Sequence, residues 1–135
     1  MHLAIEAVGV KHGGGAHVLR RLLDALGQVA SSRVRLTLFA SPRWLRRFEA
    51  PAPEGDAPEL EVVDRPEAEG ALGRAAWLQA GLARACMARH VDAVICFNAI
   101  GHTAHLPRLN LIQQPLLFSA RGLAAMPASF RARMA

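Results

Sequence analysis

The stretch from Leu3 to Gln28 constrains the fold of this chain more than any other part. It starts with an apolar run that ends at Val8, passes through three consecutive glycines and continues as an amphipathic segment. A buried strand, a glycine loop and a helix in this order open many α/β domains that bind nucleotides, because free backbone amides lie where the strand turns into the helix. We expect the remainder of the chain to repeat or support this unit.

Strand and helix patterns alternate along the rest of the sequence. Apolar runs predict strands at 3–8, 34–40, 60–64, 92–97 and 109–113, and helical spacing predicts helices at 18–26, 42–48 and 72–89. This alternation predicts one α/β domain, a Rossmann-like parallel sheet with helices on both faces. The order of the strands within the sheet cannot be derived from these patterns.

Several local features are predicted in more detail. Gly27 suits a C-terminal cap for the first helix, and Ser41 with Pro42 suits the start of the second. The strand at 60–64 should lie near a sheet edge, and 51–58 should be a surface loop. The third helix should bury an apolar stripe made of Leu72, Ala75, Ala76, Leu82, Ala83, Cys86 and Met87. A last helix at 119–135 would carry an apolar face that needs further chain or a partner surface to cover it.

Composition fits a folded globular protein, with 52% hydrophobic and 20% charged residues. The net charge is +5, and the basic residues are almost all arginine, Lys11 being the one lysine. Eight of the 11 acidic residues fall between Glu49 and Glu69, and none follows Asp92. The cationic C-terminal third could meet phosphates or an anionic membrane, or it could simply be a solvated rim.

The two cysteines, Cys86 and Cys96, lack metal-type spacing and are expected to be buried free thiols in a reducing compartment. The N-terminus has no signal-peptide pattern because Glu6 interrupts its apolar run, and no stretch is apolar and long enough to span a bilayer. We therefore expect a cytoplasmic protein, at most peripheral at the inner membrane face. Trp44 and Trp77 do not alternate with basic residues, so nucleic acid is not an expected partner.

The glycine loop is the first candidate binding site. Glycine lets a ligand approach the backbone amides closely, and the helix that follows adds partial positive charge. The loop fits neither the dinucleotide fingerprint nor a P-loop. The loop has two interpretations. Its glycines contact a ligand, or they form a tight turn that needs glycine only for packing. His12 and His17 flank the loop, either as ligand contacts or as exposed loop residues.

Polar residues after the fourth and fifth strands form the second candidate site. Asn98 and His102 follow the fourth strand, and Gln114 follows the fifth, where open α/β sheets bind ligands at their carboxyl edge. His102 and His105 have i, i+3 spacing, but two ligands do not make a zinc site, so no metal is expected.

Three segments together resemble the N-terminal domain of family 4 glycosyltransferases. They are His12-Gly-Gly-Gly-Ala-His-Val-Leu19, Asp92-Ala-Val-Ile-Cys-Phe-Asn98, and Leu109-Asn-Leu-Ile-Gln-Gln-Pro115 with Leu117-Phe118. The resemblance implies a GT-B architecture, in which two Rossmann-like domains enclose a cleft. It also implies a retaining enzyme that uses a nucleotide-sugar donor and no metal or other cofactor.

The same resemblance assigns substrate-binding roles. Carried over by position, Gly13, Gly14 and Gly15, with His12 before them, face the donor phosphates and the acceptor. Asn98 and His102 lie at the carboxyl edge. Gln114 stands where many members carry a histidine that contacts the sugar. Glutamine can bond a hydroxyl but does not titrate, which excludes an acid–base role there, and the catalytic residues stay unassigned.

The resemblance covers only the acceptor-side half of such an enzyme. Residues 1–135 correspond to one truncated domain, and the donor domain, which carries the acidic E-x7-E motif, has no counterpart in the sequence. Expected partners are a nucleotide-sugar, a sugar or lipid-linked acceptor, and a C-terminal domain or partner surface. We expect the chain alone to show no sugar transfer. The alternative is a non-catalytic Rossmann-like binding or interaction module.

Overall fold

Five parallel strands form one sheet in a computed structural model of the chain, which describes residues 1–10, 14–29, 33–46, 57–68, 70–97 and 102–111. The strands are β1 (His2–Glu6), β2 (Arg35–Ala40), β3 (Glu59–Asp64), β4 (Ala93–Phe97) and β5 (Arg108–Leu111). Their order is β3-β2-β1-β4-β5, with every neighbouring pair parallel. The predicted α/β class is confirmed, and β3 lies at a sheet edge as expected.

The helices connect these strands. They are α1 (Gly14–Val29), α2 (Pro42–Leu45), α3 (Ala71–Ala76) and α4 (Leu82–Ala88), and a π-helical turn at Trp77–Gly81 joins α3 to α4. A short 3-10 turn at Pro66–Ala68 precedes α3. None of the described helices is long and apolar enough to cross a membrane.

Helices cover both faces of the sheet. On one face, Leu19 of α1 and Trp44 of α2 pack with Ile5 of β1. On the other face, Trp77 and Leu82 pack with Phe39 and neighbouring β-strand residues. Both faces are covered because the chain leaves β1 toward β2 through α1 on one face and returns from β3 to β4 through α3 and α4 on the other. The predicted Rossmann-like layering is therefore present.

The start of α2 matches its prediction. The Ser41 hydroxyl accepts a hydrogen bond from the Trp44 amide at 3.4 Å, and Pro42 occupies the first helical position. The predicted cap at Gly27 is wrong, because α1 continues through Val29. Most of the predicted loop at 51–58, and the predicted helix at 119–135, lie outside the described residues.

The predicted stripe of the third helix is wrong in its first and last turns. Leu72 is 88% exposed and Met87 is 55% exposed, and Ala75 and Ala76 also face solvent. The π-helical turn inserts an extra residue, which rotates the preceding turn relative to the following one. Trp77 becomes the buried residue instead, while Leu82, Ala83 and Cys86 are buried as predicted.

A buried polar network ties the amino ends of β1, β2 and β3 together. The Thr37 hydroxyl lies 3.0 Å from Glu61 Oε2 and 2.7 Å from His2 Nε2, within hydrogen-bond distance of both. His2 Nδ1 donates to the Arg89 carbonyl at 2.9 Å. Arg89 also pairs with Glu61 at 3.4 Å, which links α4 to the same network.

Replacing Thr37 with valine should lower the free energy of unfolding by about 2 kcal/mol, because His2 Nε2 would stay buried without its hydrogen-bond partner. Thr37→Ser keeps the hydroxyl and should cost only about 0.8 kcal/mol for the lost methyl group. Urea denaturation of both variants measures the difference. If Thr37→Val and Thr37→Ser lower the free energy of unfolding equally, the hydrogen bonds of the hydroxyl contribute nothing to stability.

Candidate functional site

The direction of the chain across the sheet reverses at β1. From β1 the chain proceeds outward to β2 and β3, then crosses back to β4 on the other side and continues to β5. In open α/β sheets, a ligand crevice forms outside the carboxyl ends of the two strands that flank such a reversal. Here those strands are β1, which ends at Glu6, and β4, which ends at Phe97.

The glycine-opened helix starts at this crevice. Gly14 is the first residue of α1 and is exposed, and Gly15 behind it is partly buried. Among the described residues, a β-carbon built on Gly14 would meet no atom within 4 Å outside its own helix and chain neighbours. Their packing therefore does not require glycine at this position.

Glu6 is the residue at the crevice that the sequence patterns did not single out as a site. It is fully buried at the carboxyl end of β1, in register with Phe39 of β2 and Cys96 of β4. Its Oε1 accepts a hydrogen bond from the Val8 amide at 3.1 Å. Burial raises the pKa of Glu6 from 4.5 to about 7, and the Val8 amide, Trp77 and Arg74 offset this only in part.

Trp77 and Arg74 cover Glu6 from the helical side. The Trp77 indole and the Arg74 guanidinium are close enough to favour the Glu6 carboxylate. Nevertheless, Glu6 Oε2, Trp77 Nε1 and Arg74 Nε all lack a hydrogen-bond partner among the described residues. The indole N–H thus lies near the carboxyl group without reaching hydrogen-bond geometry, and because such bonds weaken steeply with misalignment it stabilises the carboxylate only weakly.

His102 lies on the other side of the crevice, after β4. Its side chain is exposed, and its backbone N–H donates to the Leu78 carbonyl in the π-helical turn at 2.6 Å. Turns of this kind recur at functional sites because they redirect carbonyl groups out of the helix. The contact fixes the start of the loop that precedes β5 against the helix that covers Glu6.

Three of the predicted binding residues fall within the described part of the chain. Gly14, Gly15 and His102 lie at the same carboxyl edge, with the glycines on the α1 side of the sheet and His102 beside the α3–α4 segment. The other predicted binding residues lie outside the described residues: His12, Gly13, Asn98 and Gln114. His17 is exposed in the first turn of α1, and His105 is exposed in a turn before β5.

The cysteines match their prediction as buried free thiols. Burial, and to a smaller extent the neighbouring Cys96, raises the pKa of Cys86 to about 11 although Arg89 lowers it. A thiol with so high a pKa is not a nucleophile at neutral pH. Across the described ranges, no three His, Cys, Asp or Glu side chains are grouped to hold a metal ion.

Together these features define a parallel α/β domain whose strand order reverses between β1 and β4, the position at which open sheets of this kind bind ligands. Comparison with protein-family models, curated proteins and solved structures gave no significant match. The function is therefore inferred from the geometry of this edge of the sheet and from the sequence segments that form it.

Proposed function

We propose that this chain is the N-terminal, acceptor-side domain of a retaining glycosyltransferase with GT-B architecture. Such an enzyme moves a sugar from a nucleotide-sugar to an acceptor. The observation that carries the proposal is the start of α1, where Gly14 and Gly15 open a 16-residue helix beside the reversal between β1 and β4. A helix terminus of this length offers amides and partial positive charge to donor phosphates or to acceptor hydroxyls.

The remaining roles follow from the sequence resemblance. The glycines at 13–15 admit the donor phosphates or the acceptor, with His12 beside them. Asn98, His102 and Gln114 orient hydroxyl groups, and acid–base chemistry falls to other groups because Gln114 does not titrate. A second Rossmann-like domain supplies the opposite wall of the cleft, which excludes water and aligns donor with acceptor.

The proposal extends to the cellular setting. A cytoplasmic enzyme of this kind meets its nucleotide-sugar in solution. Arg108 and the other C-terminal arginines would let the domain approach a lipid-linked acceptor at the inner membrane face. The reaction as proposed uses no metal and no other cofactor.

Nucleotide-sugar binding by the 135-residue chain tests the proposal through Gly14. We expect weak, saturable binding in ligand-observed NMR with a panel of nucleotide-sugars, and no sugar transfer by this chain alone. Gly14→Ala should weaken binding about tenfold, because its methyl group occupies space that the ligand needs, while the fold tolerates it. Gly27→Ala is the matched control, since its β-carbon also meets nothing within 4 Å but lies near the far end of α1.

Two results would contradict the proposal. One is an equal affinity of Gly14→Ala and Gly27→Ala for the nucleotide-sugar, which would show that the glycine-opened start of α1 is not part of the binding site. The other is robust turnover of a nucleotide-sugar by the chain alone, which would contradict the need for a second wall.

A non-catalytic binding module is the second candidate function. One observation favours it: at this edge, the described side chain with a shifted pKa is Glu6, and Glu6 is closed to solvent. Binding of a ligand without dependence on its sugar moiety would favour this module over the transferase domain.

A further inference from the structure

A groove of about 660 Å³ runs between the turn after β3 and the segment from α3 to α4. Its lining includes Arg65, Glu67, Trp77, Gln79, Gly81 and Arg84. The groove lies on the face of the sheet opposite α1, and it contains none of the residues assigned to sugar transfer. It is therefore a separate candidate site.

Arg65 is held in one orientation at this groove. Its guanidinium carbon lies 4.9 Å from the centre of the Trp77 ring and 5.5 Å from the centre of the Phe39 ring. Its backbone amide donates to the Ala40 carbonyl at 3.0 Å, which anchors the residue to the end of β2. Stacking of this kind fixes the plane of the guanidinium fork before any ligand arrives.

The donors of Arg65 are largely unused. A guanidinium carries five N–H donors. Within the described residues Arg65 Nε is buried without a partner, and Nη1 lies 3.7 Å from Glu67. That separation exceeds the roughly 2.7–2.9 Å of a good charge-assisted hydrogen bond. Because the Arg65 side chain is only 22% exposed, water does not fully replace the missing partners.

Trp77 and Gly81 shape the floor of the groove. Trp77 is 5% exposed, and a β-carbon on Gly81 would lie 2.6 Å from Trp77 Cε3. Glycine at 81 therefore lets the indole lie against the helix and leaves the groove open. Arg84, one turn further along, adds a second guanidinium, so the described lining of the groove holds two arginines and one carboxylate, that of Glu67.

We infer that this groove binds a small molecule through a phosphate or carboxylate group, with parallel N–H donors from Arg65 and a second positive charge from Arg84. Planar guanidinium forks match the geometry of both oxyanions. Glu67, whose side chain is 56% exposed, can turn toward solvent when the anion enters. The inference is independent of the proposed sugar transfer, because no residue assigned to that reaction lines the groove; Trp77, which also covers Glu6, was assigned no role in it.

The test is a titration of the 135-residue chain with inorganic phosphate, and separately with citrate, at constant pH and ionic strength. We expect saturable ¹H–¹⁵N NMR shifts of the Trp77 indole and the Gly81 amide, with a dissociation constant on the order of 1 mM. Arg84→Gln should weaken binding about fivefold, and Arg65→Lys about tenfold, because lysine keeps the charge but loses the fork.

Arg20→Gln is the matched control, since Arg20 is exposed on α1 and its loss changes the net charge by the same amount. It should leave both dissociation constants unchanged. Arg84 is also exposed, so its variant tests the site even if changes at Arg65 disturb the fold. The inference is overturned if neither anion gives a saturable shift, or if Arg84→Gln and Arg20→Gln bind alike.

Discussion

Gly73→Ala should destabilise the domain by about 3 kcal/mol or more and lower its melting temperature by roughly 10 °C. A β-carbon at Gly73 would lie within van der Waals overlap of the Glu67 carbonyl oxygen and 3.0 Å from the Glu67 carbonyl carbon. The obstacle is backbone, so no side-chain rotation relieves it. Either α3 or the 3-10 turn at Pro66–Ala68 would have to move, and both belong to the cover of the sheet.

The same substitution at Gly27 should have the opposite effect and raise the free energy of unfolding. Its β-carbon meets nothing within 4 Å, and Gly27 lies inside α1, where alanine is the better helix former. We expect a gain of about 0.5–1 kcal/mol. Thermal and urea unfolding of the two variants beside the wild type measures both effects. A Gly73→Ala variant as stable as the wild type would show that the approach of α3 to the turn is not tight in solution.

Much of the fold could be predicted from local patterns. The strand β2 and the start of α2 were located because a branched apolar run and a Ser-Pro cap each act through residues next to one another. The end of α1 was not located correctly, because a glycine at position 27 permits a helix cap without requiring one. Strand order was also inaccessible, since it depends on pairings between segments far apart in the chain.

The π-helical turn explains why the third helix was predicted less well. Its extra residue is stabilised by contacts that helical spacing does not encode. Gly81 gives room for the Trp77 ring, and the His102 amide bonds the Leu78 carbonyl from a loop that follows β4. A regular α-helical period that continues through Trp77 therefore predicts that Leu72 faces the core, whereas Leu72 is 88% exposed in the structure.

The candidate site was predictable only in part, for a similar reason. The glycines at 14 and 15 were located because a strand and a helix flank them in sequence. Glu6 was visible as a charge that interrupts an apolar run, but that pattern does not show whether the carboxyl group is buried. Its burial is created by Trp77 and Arg74, which come from a helix about seventy residues later, so only the folded chain reveals it.

The stability of the wild type should fall as pH rises from about 4.5 to about 7, through the contribution of Glu6. In the folded state the pKa of Glu6 is raised to about 7, so over this window the folded chain holds a proton that the unfolded chain releases. The stabilising contribution of Glu6 is therefore complete below its ordinary pKa of 4.5 and is lost as the pH rises through its folded-state pKa of about 7. The integrated loss is on the order of 3 kcal/mol.

Glu6→Gln isolates this contribution because its side chain does not titrate. The amide introduces its own cost beside the Trp77 indole N–H, but that cost is the same at every pH. The difference in unfolding free energy between Glu6→Gln and the wild type should therefore shift in favour of the variant by about 3 kcal/mol between pH 4.5 and pH 8. Urea denaturation at several pH values measures the shift.

Two further variants separate titration from packing. Glu6→Ala also removes the carboxyl group and should show the same shift with pH, whatever its absolute stability. Gly27→Ala changes stability at the far end of α1 and keeps Glu6. Its free energy of unfolding should therefore change with pH in the same way as that of the wild type. If the pH dependence of Glu6→Gln and Glu6→Ala matches the wild type instead, the carboxyl group releases its proton at the same pH in the folded and unfolded chains. Glu6 would then be hydrated or paired in solution, and the covering helix would have to open at this edge of the sheet.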